Sequence, residues 1–249
     1  SSSTQATMPV TNTQSGTNVH EIAERLYRIS TPVSLPGDVG FSFNQYLIDD
    51  DEPLLFHTGL RQLFPLVLEA VQTVMPVAKL RHVAFSHVEA DECGSLNQWL
   101  AAAPNATPLC GTIAALVSIG DLADRPPRAL ADNEAVALDQ HTVRWFDAPH
   151  LPHGWECGFM MEERTGTLLC GDLFTQPGHG EVPLTEGDIL GPSEAFRREM
   201  DYFSHTRHAD ALLEKLARNN PRTLAVMHGS AWSGDGAGLL RELGRELAR

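Results

Sequence analysis

Between His87 and Glu92 the chain places one imidazole and three carboxylates, Glu89, Asp91 and Glu92. Carboxylates crowded this closely repel one another and resist desolvation, and a divalent cation converts both costs into coordination energy. The cluster follows Val83-Ala84-Phe85-Ser86, an apolar run of strand character, so its side chains stand where a rigid element gives way to a loop. Three other runs end in the same way. Val143-Arg144-Trp145-Phe146 leads through Asp147-Ala148-Pro149 to His150 and His153, Leu168-Leu169-Cys170-Gly171 leads to Asp172, and Leu224-Ala225-Val226-Met227 leads to His228. Side chains delivered from several strand ends can converge on one cleft.

Imidazole and carboxylate together suit zinc, iron or manganese. The four cysteines, Cys93, Cys110, Cys157 and Cys170, lie far apart with no CxxC pair. That argues against an iron–sulfur site, a Cys-type zinc finger or a disulfide framework, and they read as small buried hydrophobes. The seven candidates His87, Glu89, Asp91, Glu92, His153, Asp172 and His228 bring four carboxylates, matching the charge of two divalent ions and pointing to a binuclear site. Glu89 and His87 could address one ion and Asp91 a second, with Asp172 between them. Simpler roles compete for some of these residues. Asp91 and Glu92 precede a helix-like run, where acids serve as caps and favour the helix dipole. His20, His82, His141, His205 and His208 read as ordinary loop or core histidines. Trp155, Phe174, His179 and Trp232 are near candidate ligands in sequence and could line a pocket, but core packing or, for His179, a surface turn explains them better.

The elements that must position these groups can be outlined from periodicity. Strand character marks Asn44 to Ile48, Leu54 to His57, His82 to Ser86, Thr142 to Asp147, Phe159 to Glu162, Thr167 to Gly171 and Thr223 to Met227, with a hairpin turn at Arg164-Thr165-Gly166. Helical spacing marks Arg61 to Val74, Cys93 to Ala103, Thr112 to Ile119, Ser193 to Phe203, His208 to Leu216 and Ala237 to Leu247. Strands that pair locally, followed by strands alternating with helices, predict α/β layering. With 249 residues and 42% hydrophobic content there is material for a large core, and no linker divides the chain. The expected organisation is a flexible segment over 1–18 and a single domain over 19–249. A net charge of −14, from 32 acids against 18 Lys and Arg, disfavours nucleic acid or an anionic membrane as partner. No apolar run approaches membrane-spanning length, which predicts a cytoplasmic protein.

The ordered motifs resemble the metallo-β-lactamase superfamily, whose first motif has the form H-x-H-x-D-H and is followed by single His, Asp and His ligands. His87-x-Glu89-x-Asp91-Glu92 is most similar to the flavodiiron branch, with its H-x-E-x-D-H pattern. Ala148-Pro149-His150-Leu151-Pro152-His153-Gly154-Trp155 resembles that branch's A-P-x-L-H-W segment, with His153 preferred as ligand and His150 supporting a ligand or the loop. Cys170-Gly171-Asp172-Leu173-Phe174 resembles the bridging-aspartate motif, and Met227-His228-Gly229 the last histidine motif. Glu92 departs from the pattern, standing where a second-metal histidine is usual, and either ligates or turns away.

The resemblance implies an αββα four-layer sandwich with two metal ions, iron favoured and zinc or manganese compatible. It implies a diiron protein that binds, senses or reduces O2 or NO. The chain ends at Arg249, shortly after His228, and has no glycine-rich phosphate loop, so no flavin is expected within it and electrons would come from a separate donor. A homodimer is compatible with this reading. The alternative is a metal-dependent hydrolase acting on an ester, thioester or phosphodiester through a bridging hydroxide, with Asp91 as the catalytic group that orients it or accepts its proton.

Overall fold

The computed structural model of the chain describes residues 9–249. The first half builds one sheet from β1 (Asn18–Ala23), β2 (Leu26–Leu35), β3 (Val39–Ile48), β4 (Leu54–Phe56), β5 (His82–Ala84), β6 (Thr107–Gly111) and β7 (Arg128–Leu130), in that spatial order. The second half builds another from β8 (Ala135–Ala137), β9 (Thr142–Asp147), β10 (Gly158–Glu162), β11 (Thr167–Leu169), β12 (Leu184–Thr185), β13 (Thr223–Ala225) and β14 (Ala231–Ser233), ordered β12-β14-β13-β11-β10-β9-β8. Hairpins make β1 to β4 antiparallel, whereas β4 to β7 run parallel. Parallel neighbours need a crossover. Helix α1 (Phe64–Val74) supplies the one between β4 and β5, and α2 (Ala90–Cys93) with α3 (Leu96–Ala102) the one between β5 and β6.

Side-chain alternation along the strands sorts the layers. Leu54 and Phe56 of β4 join Tyr46, Leu109, Trp145, Met160, Leu169 and Ala225 in a core between the sheets, while Leu55 faces the other way, toward Val67 and Val71 of α1 and Trp99 of α3. On the second sheet, Phe159, Met161, Leu168 and Leu224 point outward against the helices that follow α4 (Leu190–Met200), namely α5 (Ala209–Ala217) and α6 (Gly236–Leu247). The layers therefore run helix, sheet, sheet, helix, the expected αββα sandwich. Each fully buried Leu, Phe or Met contributes about 1.5–3 kcal/mol over its exposed state, and two-sided burial explains why the strands read as apolar runs.

Element ends differ from expectation where side chains override periodicity. The predicted helix from Cys93 begins earlier, with Glu89 at its N-cap, and breaks before Leu96. There Ser95 and Trp99 both bond to Thr58, Oγ to O at 3.0 Å and Nε1 to O at 3.0 Å, tying the crossover to the end of β4. The helix expected to reach Phe203 stops at Met200, because Asp201 adopts left-handed backbone (φ 50°) and its N–H closes on the Arg197 carbonyl at 2.7 Å. Strands β1, β2, β6, β7, β8, β12 and β14 were not anticipated; β2 carries Pro32 and a polar face, and the others are short. The Arg164-Thr165-Gly166 hairpin is present between β10 and β11, its turn amides at Arg164 and Thr165 donating to the buried Glu162 carboxylate. Of the 1–18 segment, residues 1–8 lie outside the described residues. Residues 9–17 turn back onto the sheet, with Thr11 N–H on the Thr17 carbonyl at 2.8 Å and Thr17 Oγ1 2.9 Å from Thr31 Oγ1. Among the described residues no helix is long and apolar enough to cross a membrane.

Candidate metal centre

Four chain segments deliver side chains to one end of the sandwich. After β5, Ser86 turns the backbone, accepting the Gly158 N–H at 2.9 Å, and the following loop is held by Glu156, whose carboxylate accepts Val88 N–H at 2.7 Å. His87 and Glu89 project from this loop and Asp91 from the first turn of α2. After β11, Gly171 (φ 46°) lets the chain pass against Ser86: a Cβ there would lie 2.8 Å from Ser86 Oγ. Asp172 follows directly, and His228 follows β13.

The donor atoms form two groups that share one residue. His87, Glu89, His153 and Asp172 lie within mutual metal-binding reach, as do Asp91, Asp172 and His228. Asp172 divides its oxygens between them. Its Oδ2 is 3.4 Å from His87 Nε2 and 3.1 Å from His153 Nε2, and its Oδ1 is 3.4 Å from His228 Nε2. Glu89 stands 3.5 Å from both His87 Nε2 and His153 Nε2, and Asp91 Oδ2 is 3.3 Å from His228 Nε2. His87 Nε2, His153 Nε2, Asp91 Oδ1 and Asp172 Oδ1 are buried without a hydrogen-bond partner. Buried polar atoms are normally paired, so convergent unpaired imidazole nitrogens and carboxylate oxygens fit a shared cation. The far nitrogens are anchored: His153 Nδ1 donates to the Tyr202 carbonyl at 2.7 Å and His228 Nδ1 to the Ser42 carbonyl at 2.8 Å, leaving each Nε2 free to ligate.

The electrostatics agree with the geometry. Burial alone would lower the pKa of His153 and His228, but Asp172 with Glu89, and Asp172 with Asp91, outweigh it and raise both to about 10. Burial likewise opposes the raised His87, which Glu92, Glu89 and Asp172 hold protonated. His153 and His87 hold Glu89 well below the usual carboxylate range, and Asp172, whose burial acts the other way, is held low by His153 and His228. Asp91 is instead pushed up to about 6, chiefly by burial. Imidazoles that gather protons beside carboxylates exchange them for a metal ion, so metal binding here would release protons.

Two predicted residues are not brought into these groups. The Glu92 carboxylate points behind His87, with Oε2 accepting the Ser86 N–H at 2.8 Å. His150 is exposed on the 148–157 loop; its backbone N–H bonds the Gly154 carbonyl, and its side chain borders a separate cleft with Arg197 and His205. His57, Glu156, Phe41 and Tyr202 were missed. Phe41 stacks on the His228 ring (4.3 Å between centroids), and Phe196 stacks on Phe41. No spacing in the sequence marks them; His57 alone carries a hint, as a histidine closing a strand run. Of the aromatics weighed for a pocket, Phe174 is core, Trp155 is exposed, and Trp232 bonds the Gly187 carbonyl. His179 lies against Gly40.

A four-layer αββα sandwich with His and carboxylate donors gathered at strand ends defines the metallo-β-lactamase class. Residues 41–229, more than half of the chain, match the ODP family beta lactamase, and the chain belongs to that family. A putative diflavin flavoprotein A 1 of Nostoc sp. (strain PCC 7120) is 27% identical over 195 residues, covering 76% of this chain and 33% of the relative. Two solved structures share the fold. The metal-soaked Flv1 flavodiiron core from Synechocystis sp. PCC6803 superposes with a TM-score of 0.77 at 21% identity, over 93% of this chain and 61% of that one. Rubredoxin oxygen:oxidoreductase from the anaerobe Desulfovibrio gigas gives 0.75 at 17% identity, over 92% and 62%. The chain spans about a third of the length of the curated relatives it matches.

Proposed function

We propose that the chain is a binuclear non-haem iron protein that binds, senses or reduces O2 or NO. His87, Glu89, His153 and Asp172 hold one ion; Asp91, Asp172 and His228 hold the other. The observation that carries this reading is the cavity beside these groups. Its volume is about 150 Å³, and Phe41, Phe196, Met200 and Tyr202 wall it next to Glu89, His153, Asp172 and His228. Pockets for drug-sized ligands run to about 300–1,000 Å³. A small, largely apolar recess, open to solvent against the donor set, offers little polar surface to grip an ester or phosphodiester and suits a diatomic gas better. Two ferrous ions, when bound, would supply both open coordination positions and electrons.

The protein's own groups shape that chemistry. The Tyr202 and Ser42 carbonyls fix the rings of His153 and His228, and Phe41, itself stacked on Phe196, covers one face of the His228 ring. The names of flavodiiron relatives and of an oxygen:oxidoreductase support the same class of reaction, with electrons arriving from a separate donor. The test is metal analysis of the purified protein, then mixing of the anaerobic Fe2+-loaded form with O2 while its visible spectrum is recorded. Two irons per chain and a new visible band are expected. Two zinc ions, no band and turnover of a thioester or phosphodiester would replace this reading with hydrolysis.

A further inference from the structure

Glu92 is fully buried beside the candidate centre yet belongs to neither donor group among the described residues. A buried carboxylate needs compensating partners. Its Oε2 accepts the Ser86 N–H and lies 3.2 Å from His57 Nε2, and its Oε1 lies 3.5 Å from His87 Nδ1, both as ion-pair contacts without hydrogen-bond geometry; His87 Nδ1 is also 3.5 Å from Ser86 Oγ. His57 is also fully buried, with Nδ1 3.2 Å from the Asn44 carbonyl. Its backbone is left-handed (φ 73°), a conformation that is strained for a non-glycine residue and persists where the surroundings over-determine it. Here the His57 N–H is bound to the Ala84 carbonyl at 2.8 Å, and its ring packs on Phe56. The side chains thus form a series, His57 to Glu92 to His87, that meets His87 on the nitrogen opposite the one facing Glu89 and Asp172. A carboxylate behind a ligating imidazole fixes the ring and its tautomer and strengthens it as a donor.

We propose that Glu92 is a positioning residue for His87, clamped by His57 and the Ser86 amide, and that the second ion is held by only three side chains, Asp91, Asp172 and His228. This rests on the binuclear reading above and makes the first position, with four donors, the tighter of the two.

The test is calorimetric titration of chelator-treated protein with Co2+, followed in parallel by visible absorption. Wild type should take up two ions in separate events. Glu92→Gln and His57→Asn should each weaken the tighter event about 10–100-fold, the usual effect of losing an outer partner of a metal-bound histidine, with the other event changed less than about threefold. Combining them should add little, because they act in series. Loss of the weaker event in Glu92→Gln, with the tighter one intact, would make Glu92 a ligand and overturn the proposal. Uptake of fewer than two Co2+ by wild type would overturn the binuclear reading itself, and the three-ligand assignment with it. Thermal melts of the metal-free variants check folding. Should Glu92→Gln fail to fold, nitrogen-15 spectra of wild type loaded with Zn2+ give the same decision: His87 coordinated through Nε2 with Nδ1 protonated is expected, and coordination through Nδ1 contradicts the clamp.

Discussion

The two halves of the candidate centre share Asp172 and little else. The first offers two imidazoles and two carboxylates and is the more open, with the Glu89 side chain 44% and that of His153 24% exposed. The second offers one imidazole and two carboxylates and is closed in, with Asp91 at 9% and His228 at 7% under Phe41. Low dielectric strengthens each contact in the buried half. Two different means would therefore hold two ions: donor number on one side, burial on the other. What separates the halves most is one side chain, Glu92, whose carboxylate serves the first position from behind.

Substitutions at the shared residue should affect this comparison most. Asp172→Ala removes a donor from both groups, and metal analysis after desalting should fall from two ions per chain to fewer than one. His153→Ala and His228→Ala should divide the halves, each retaining about one ion, with the O2-dependent visible band lost in both; loss of both ions from either variant would mean that the halves are not separable.

The pH dependence sharpens the comparison through proton linkage. His153 and His228 titrate at about 10 when folded, against an ordinary value of 6.5, so the stability they contribute without metal is complete below about pH 6.5 and lost as pH rises through about 10. Asp91 acts in the same direction at lower pH: its carboxyl, at about 6 rather than 3.8, costs stability as it ionises between those values. The melting temperature of metal-free protein should therefore fall between about pH 7 and 10, and that of metal-loaded protein should fall less, because the ions replace the protons. Equal slopes would indicate that the imidazoles do not ligate.

Smaller effects come from the supports. Glu156→Gln weakens the carboxylate's hold on Val88 N–H and should lower affinity at the first position about tenfold, leaving the second unchanged by the same titration. His150→Ala should alter neither by more than about twofold, since its exposed side chain meets none of the donors and surface changes of this kind have small effects.

The layering was legible because two-sided burial writes apolar runs into strands such as Thr167–Leu169 and Thr223–Ala225, and the ends of Thr142–Asp147 match the sequence reading. Six of the seven predicted donors meet: five close such a run or open the helix after it, and His153 stands on the 148–157 loop beyond β9. What escaped the sequence depends on contacts distant in the chain. His57 and Glu92 are paired across 35 positions (92 − 57), Phe41 meets His228 through the approach of two sheets, and Tyr202 reaches His153 because Asp201 ends a helix that periodicity would continue. The side-chain direction of Glu92 was undecided for the same reason: Ser86 N–H and His57 aim it, and neither lies on its own helix.

The most direct test of a binuclear iron centre with unequal halves is the Mössbauer spectrum of anaerobic protein loaded with iron-57. Two ferrous quadrupole doublets of equal area and different splitting are expected, both changing when O2 is admitted. A single doublet, or iron at one ion per chain, would contradict the account.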